Sequence, residues 1–369
     1  MKQDRVYFLK HSTQVGDIRL ERFPHDQFQH PKMKLLRSKY KLNSLIKGKE
    51  TDFEQVLALA DWVSTRWDHK GIPAKTKKWD SLSILTAVKS GKSFSCAEYA
   101  SVLTQVCHAV GIPARKLGAS TKRPDLGDSG HGHVTVEYWD NQLQKWVWID
   151  PQIHAYGMVN KKPASYFEMH TSKNAVIKFS ERTKDYIKNK SSLKNLRSFV
   201  KRYNGSISYS AGRERDFLFS KQKLQAYNLL IKGQAFATFL GFPIYGGTYL
   251  NHDEFYMPLN QLQVEISTEP LGQDIQFNDL KDYKQRRHEY FATNKICLKF
   301  SHSMPWLKYI EVIINGKRKT TKEDLLTIKL KKGQNTIEVV SINHAGRRGK
   351  KSEFVICFDN KYPSVKSYW

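Results

Sequence analysis

The stretch Ser93-Phe94-Ser95-Cys96-Ala97-Glu98-Tyr99-Ala100 decides how the rest of the chain reads. Ser95 followed three residues later by Glu98 is a capping box, in which the serine caps a helix and the glutamate reaches back to its amide. Cys96 then falls at the first helical position. Unpaired backbone N–H groups and the helix dipole favour an anion there, which for a cysteine means the thiolate. Tyr99, Val102, Leu103, Val106, Cys107 and Val110 recur at three- and four-residue spacing, the apolar stripe of a buried helix. Gly111-Ile112-Pro113 ends it. A free cysteine is more often a small buried hydrophobe than a nucleophile. Cys107, on the stripe, reads that way; Cys96, at the tip, is open to both readings until partners are found.

Partners come later in the chain. Gly130-His131-Gly132-His133-Val134-Thr135-Val136-Glu137-Tyr138-Trp139 alternates as a strand does. His133, Thr135, Glu137 and Trp139 share one face; Val134, Val136 and Tyr138 share the other. Asp140-Asn141-Gln142 supplies turn residues, and Lys145-Trp146-Val147-Trp148-Ile149-Asp150 is a second strand closed by Pro151. The antiparallel pairing brings the start of the first strand beside the end of the second, so the His133 imidazole and the Asp150 carboxylate can meet. A cysteine at a helix tip, a histidine and an orienting carboxylate are the parts of a nucleophilic acyl-transfer triad. Taken singly, His133 reads equally as a satisfied polar residue at a strand start and Asp150 as a turn residue before proline. His131 and His133 together suggest a metal, but no third ligand stands at plausible spacing, and no metal or other cofactor is expected.

Four motifs in order now resemble a known family: Ser95-Cys96-Ala97-Glu98-Tyr99, Ala109-Val110-Gly111-Ile112-Pro113-Ala114-Arg115, Gly132-His133-Val134 and Trp148-Ile149-Asp150-Pro151. They look like the transglutaminase-like core, a papain-like cysteine fold shared by transglutaminases, cysteine proteases and peptide N-glycanases. The resemblance covers about residues 50–155. It implies Cys96 as nucleophile, His133 as base and Asp150 as orienting acid. One departure is Val134, where many members carry an aromatic; it bears on the acceptor side of the site. In relatives an upstream aromatic or amide side chain helps hold the oxyanion. Trp67 is the candidate for that role, with Trp62 and Trp79 as rivals, beside the backbone amide of Cys96.

Composition bounds the remainder. At 369 residues the chain is one large domain or two ordinary ones. No apolar run approaches the ~18 residues of a membrane span. Met1-Lys2-Gln3-Asp4-Arg5 leads into no apolar signal sequence. Four cysteines, one needed as a free thiol, do not read as a disulfide framework. A reducing, cytoplasmic compartment is the simpler expectation; a secreted, processed form would read the same. The formal charge of +26 implies attraction to polyanions, yet no zinc-finger spacing, RNA-binding aromatic motif or phosphate loop accompanies it, so no specific nucleic acid is expected. Residues 161–232 hold 17 Lys plus Arg against 5 Asp plus Glu. There Ser192 to Tyr203 reads as a helix, with Leu193, Leu196, Phe199 and Val200 inward and Lys194, Arg197, Lys201 and Arg202 outward.

Upstream, Val6-Tyr7-Phe8-Leu9 and Leu35-Leu36 read as a peripheral strand or helices packed on the core, Asp52 to Arg66 as a helix and Ser81 to Val88 as a shorter one. Leu224 to Phe242 reads as one or two strands. After Leu262 the pattern changes to short alternating strands at 262–266, 296–300, 310–314, 326–330, 336–340 and 353–358, with turns at Asn315-Gly316, Lys332-Gly333 and Gly346. That is the pattern of a β-sandwich, and Asn335 to Arg347 resembles late strands of bacterial immunoglobulin-like domains. Cys297 and Cys357 read either as a pair or as separate core residues. The expected class is α+β: a transglutaminase-like catalytic domain over 1–259, then an immunoglobulin-like β-sandwich over 260–369. The resemblance implies a cysteine enzyme acting on amide or peptide bonds of a protein or peptide substrate, acidic if the basic surface recruits it. The rival is a non-catalytic adaptor whose basic surface holds an anionic polymer.

Overall fold

A computed structural model of the chain describes residues 5–12, 23, 25–76, 78, 80–122, 132–180, 190–211, 225–232, 248–268, 276–286 and 294–361. Trp79, His131, most of the loop before His131 and the stretch after Lys232 lie outside them. The chain divides into two compact units, residues 19–259 and residues 260–369 joined by residues 1–18.

In chain order the described elements begin with β1 (Arg5–Ser12), α1 (Pro31–Lys39), α2 (Leu42–Ile46), α3 (Asp52–Ser64), α4 (Ser81–Lys89) and α5 (Cys96–Ala109). Strands β2 (Ala114–Ser120), β3 (Gly132–Asp140), β4 (Lys145–Asp150), β5 (Ala155–Val159) and β6 (Lys162–Pro163) come after α5. Then come α6 (Tyr166–Thr171), β7 (Ala175–Phe179), α7 (Lys190–Arg202), β8 (Ser206–Ala211), β9 (Gln225–Leu230), β10 (Thr248–Tyr249) and α8 (His252–Phe255).

The sheet of the first unit runs β10-β9-β8-β2-β3-β4-β5-β6, with β7 also on β5. It is covered on both faces. Val136, Tyr138, Val147 and Ile149 join a core built with α1 to α5. Leu117, Ala119 and Trp148 join a second core with Tyr166 of α6, Val200 of α7 and Phe255 of α8. Each large aliphatic side chain so buried stabilises by roughly 1.5–3 kcal/mol before entropy is charged. Double coverage strands polar residues on the alternating strand β3, and each finds a partner. Thr135 Oγ1 donates to Ile149 O (3.0 Å) and accepts from Trp148 Nε1 (2.8 Å). Glu137 Oε2 takes Nε and Nη2 of Arg115 at 3.1 and 2.7 Å.

The second unit contains β11 (Leu262–Thr268), α9 (Leu280–Arg286), β12 (Lys295–His302), β13 (Leu307–Ile314), β14 (Lys317–Thr321), β15 (Leu325–Lys329), β16 (Gly333–Asn343) and β17 (Ser352–Asp359). Two antiparallel sheets, β1-β17-β16-β13-β14 and β11-β12-β15, share one core that includes Val264, Leu298 and Ile328 from one and Val312, Val339 and Ile356 from the other. Asn315 and Gly316, both at positive φ, form the two-residue turn of the β13–β14 hairpin. Cys297 and Cys357 are free thiols on different sheets.

Val6-Tyr7-Phe8-Leu9 is a strand, but it pairs antiparallel with β17, running from Arg5↔Asp359 to Ser12↔Glu353. Its hydrogen bonds thus go to the sheet of the second unit, not to the domain that the sequence pattern assigns to residues 1–259. Deleting residues 1–18 should therefore speed amide hydrogen exchange along Ser352–Asp359 while leaving Cys96–Ala109 as protected as before. Unchanged protection of β17 in that variant would show that β1 contributes no stable pairing.

Candidate active site

The thiol, the imidazole and the carboxylate come from three elements whose ends converge. Ser95 is the N-cap of α5, and Glu98 Oε2 accepts from Ser95 N (3.0 Å) and Ser95 Oγ (2.7 Å). Such a cap stabilises a helix by about 1 kcal/mol, and it fixes where the helix begins. Cys96 is consequently the first residue of α5 and is partly exposed, while Cys107 is fully buried. His133 is the second residue of β3 and Asp150 the last of β4. The register Val136↔Ile149 brings those ends together.

His133 Nε2 stands 2.5 Å from Asp150 Oδ2. The other carboxylate oxygen, Oδ1, accepts the amides of Gln152 (2.9 Å) and Ile153 (3.3 Å), so the acid is held from both sides. Nδ1 is not engaged by Asp150, and Cys96 is near enough to the ring to bear on its charge. Burial opposes a charge on His133, but the adjacent Asp150 carboxylate and the contact with Cys96 outweigh it and push the pKa up to about 10. The ring is therefore an imidazolium at neutral pH.

Residues 40–151 match the family model of the transglutaminase-like superfamily. The match takes in Cys96, His133 and Asp150 and ends one residue after the last. No curated protein matches the chain significantly. Solved structures similar to it include a candidate cysteine protease from Cytophaga hutchinsonii. That protein is 18% identical, with a TM-score of 0.28 over 47% of this chain and 58% of that one. Red sea bream transglutaminase is 11% identical, with a TM-score of 0.24 over 97% of this chain and 77% of that one. The chain thus spans little more than half the length of the first, and likenesses this distant carry no chemistry over to this chain.

Trp67 lies against the tip of α5. Its ring stacks on Tyr99 (centroids 4.2 Å) and meets Phe94 edge-on (5.9 Å), and its carbonyl accepts from the Tyr99 hydroxyl. Its indole Nε1 is buried and has no hydrogen-bond partner among the described residues. Trp62 instead packs on Tyr40 and under Arg66. Beside His133, a small open cleft of about 90 Å³ is lined by small residues, including Gly118, Ala119, Ser120, Gly132, Ser206 and Ser208.

Four neighbours of the site were not legible as such. Phe199, on α7, meets the His133 ring edge-on at 5.0 Å, and Tyr203 lies 5.5 Å from it. Helical spacing marks Phe199 as inward-facing without saying what it faces. His69 is close enough to the site that the His133 charge, next to burial, lowers its pKa, against the pull of Asp150 and Glu98. Lys116 Nζ reaches Ser101 Oγ of α5 at 3.3 Å; burial lowers its pKa, with Glu98 and Cys96 acting the other way.

The raised pKa of His133 makes a stability prediction. An unfolded histidine titrates near ~6.5, so between there and about 10 the folded chain holds a proton that the unfolded one has lost. The resulting stabilisation is complete below pH ~6.5 and is lost as pH rises towards 10. The melting temperature should fall between pH 7 and 10 more steeply in the native protein than in His133→Gln. Parallel curves from differential scanning calorimetry would mean that the ring is not held charged.

Proposed function

We propose that this protein is a cysteine enzyme that acts on amide or peptide bonds through Cys96, His133 and Asp150. The observation that carries this reading is the pairing of His133 with Asp150 at 2.5 Å, with Cys96, the first residue of α5, close enough to act on the ring's charge. The Cys96 sulfur is the nucleophile in this reading and His133 the proton carrier beside it. In the first step the Cys96 sulfur attacks the amide carbonyl carbon. The carbonyl electrons move to oxygen, which rests on the Cys96 backbone amide at the helix N-terminus and on the indole N–H of Trp67. The tetrahedral species collapses as His133 gives its proton to the departing nitrogen. A thioester and a free amine result. In the second step His133, now neutral, takes a proton from an incoming amine or water, which attacks the thioester and releases Cys96 as thiolate. An amine yields a new amide and water yields a carboxylic acid. The open cleft of small residues beside His133 is the face at which a substrate would approach in this reading. The two-sheet unit after residue 259 fits an immunoglobulin-like sandwich by its strands and turns, and serves in this reading as a separate module.

Incubating the protein with glutamine-containing peptides and a labelled amine, and reading products by mass spectrometry, tests the chemistry. Amine adducts indicate transglutamination, cleaved peptides proteolysis, and a gain of about one dalton deamidation. Cys96→Ala should lower turnover by at least ~10³-fold, the scale at which a covalent nucleophile matters, while Cys107→Ala should keep it. Turnover surviving in Cys96→Ala would overturn the mechanism.

Trp67→Phe separates the oxyanion role from packing. The substitution keeps a ring against Tyr99 and Phe94 but leaves a small cavity, so the melting temperature should fall by a few degrees while KM stays near the native value. Loss of a single oxyanion donor costs about 10²–10³ in kcat elsewhere, and a drop of at least tenfold is expected here. A variant with unchanged kcat would assign the oxyanion to the backbone amide alone.

A further inference from the structure

We propose that the exposed basic row of α7 is a docking surface for an acidic polypeptide, which it delivers to the cleft beside His133. The inference rests on the cysteine-enzyme reading for the chemistry and on α7 alone for the docking. Helix α7, Lys190–Arg202, contains no Asp or Glu in thirteen residues. Lys194, Arg197, Lys201 and Arg202 are all exposed. Lys194, Arg197 and Lys201 fall three and four apart, on one stripe about 10 Å long at 1.5 Å per residue. None of these three has a carboxylate partner among the described residues; the Arg197 guanidinium lies over the Phe179 ring at 5.5 Å. Like charges at such spacing repel, at roughly 0.2–0.5 kcal/mol per pair, and an anionic partner relieves that repulsion.

The opposite side of the same helix touches the reaction centre. Phe199 meets His133 edge-on at 5.0 Å, Val200 is buried and Tyr203 stands 5.5 Å from the imidazole. Arg202 lies over Tyr203 at 5.2 Å and donates to its hydroxyl at 3.1 Å, linking the basic face to the aromatic pair on the imidazole. Positive charge extends past the helix. His170 is pushed down to about 3 by burial together with Lys232 and Lys201. A partner on the stripe is therefore about one helix diameter, ~10 Å, from the site. The chemistry selects among polyanions. A cysteine nucleophile with a histidine proton carrier acts on the open-chain amide that every polypeptide carries. A peptide in the polyproline II conformation puts every third side chain on one face about 9 Å apart, close to the span from Lys194 to Lys201.

Binding is tested in the full chain carrying Cys96→Ala, which reads the surface without the chemistry, so that absence of acyl transfer does not disturb the result. The probe is a fluorescent fifteen-residue peptide with one glutamine and a glutamate at every third position, against the same peptide with those glutamates replaced by glutamine. In 50 mM salt the acidic peptide should bind at least tenfold tighter than the neutral one, and the difference should vanish near 0.5 M as the screening length contracts to a few ångströms. Adding Lys194→Gln, Arg197→Gln and Lys201→Gln together should weaken the acidic peptide at least tenfold, with the neutral peptide unaffected and the melting temperature unchanged or higher. Lys317→Gln, Arg318→Gln and Lys319→Gln, on β14, are the charge-matched control and should leave binding intact. Equal affinity with and without the α7 substitutions overturns the proposal. So does a duplex DNA that displaces the acidic peptide at equal charge concentration, which would mark a general polyanion surface.

Discussion

The ion pair of Arg115 with Glu137 is the constraint on which the first unit depends. Both side chains are essentially removed from solvent, where an unpaired charge would be prohibitive. Each is saturated. Arg115 gives Nε and Nη2 to Glu137 Oε2 and Nη1 to Phe255 O at 2.8 Å, with its guanidinium 4.1 Å from the Trp146 ring and 4.5 Å from that of Phe255. Glu137 Oε1 takes the Tyr166 amide (2.8 Å) and the Tyr256 hydroxyl (3.0 Å). One pair thus fastens β2, β3, the start of α6 and the end of α8. Removing either partner leaves the other buried and uncompensated, at a cost of about 3–5 kcal/mol. The pair also locks register, because Arg115 lies opposite Glu137 across β2 and β3. A slip of one residue would turn His133 to the other face of the sheet.

From that register the site is reached by short steps. His133 is four residues before Glu137 and on the same face, the face that looks towards α6 and α7. A charged imidazole there would be costly to bury without the Asp150 carboxylate. Asp150 in turn is satisfied by two amides of the turn after it. Phe199 and Tyr203 pack against the ring on the side of α7.

How far the sequence could be read depends on the range of the interaction behind each feature. The α5 tip was legible because the Ser95–Glu98 cap is local and the stripe beneath it is periodic. The approach of His133 to Asp150 was legible because a hairpin is nearly local too. Arg115 was visible as part of a motif, but its role was not, since its partners come from residues 137 and 255, far off in sequence. The contact between α7 and His133 was hidden for a similar reason: amphipathic spacing marks Phe199 as inward without naming its neighbour. Strand β14, Lys-Arg-Lys-Thr-Thr, has no apolar residue to announce it; it is held by the Asn315-Gly316 turn and by pairing with β13. Strand β1 carries an ordinary apolar pattern that fits the edge of any sheet.

The pairing of β1 with β17 sets an order of events during synthesis. Arg5 is made first, but its partner Asp359 emerges more than 350 residues later. At ribosomal rates of roughly 5–20 residues per second that interval is about 20–70 s. Over this time residues 19–259 are complete and free to fold, while β1 has no partner and presents open backbone donors and acceptors. The half-exposed Phe8 and the basic Arg5 and Lys10 bear on this interval in opposite ways. An apolar strand waiting without a partner invites association with another chain, and flanking cations discourage it. Closing so long a loop adds only a slowly growing entropy cost. The delay is thus a matter of time and not of equilibrium stability, and the last sheet of the chain to form is the one that contains its first strand.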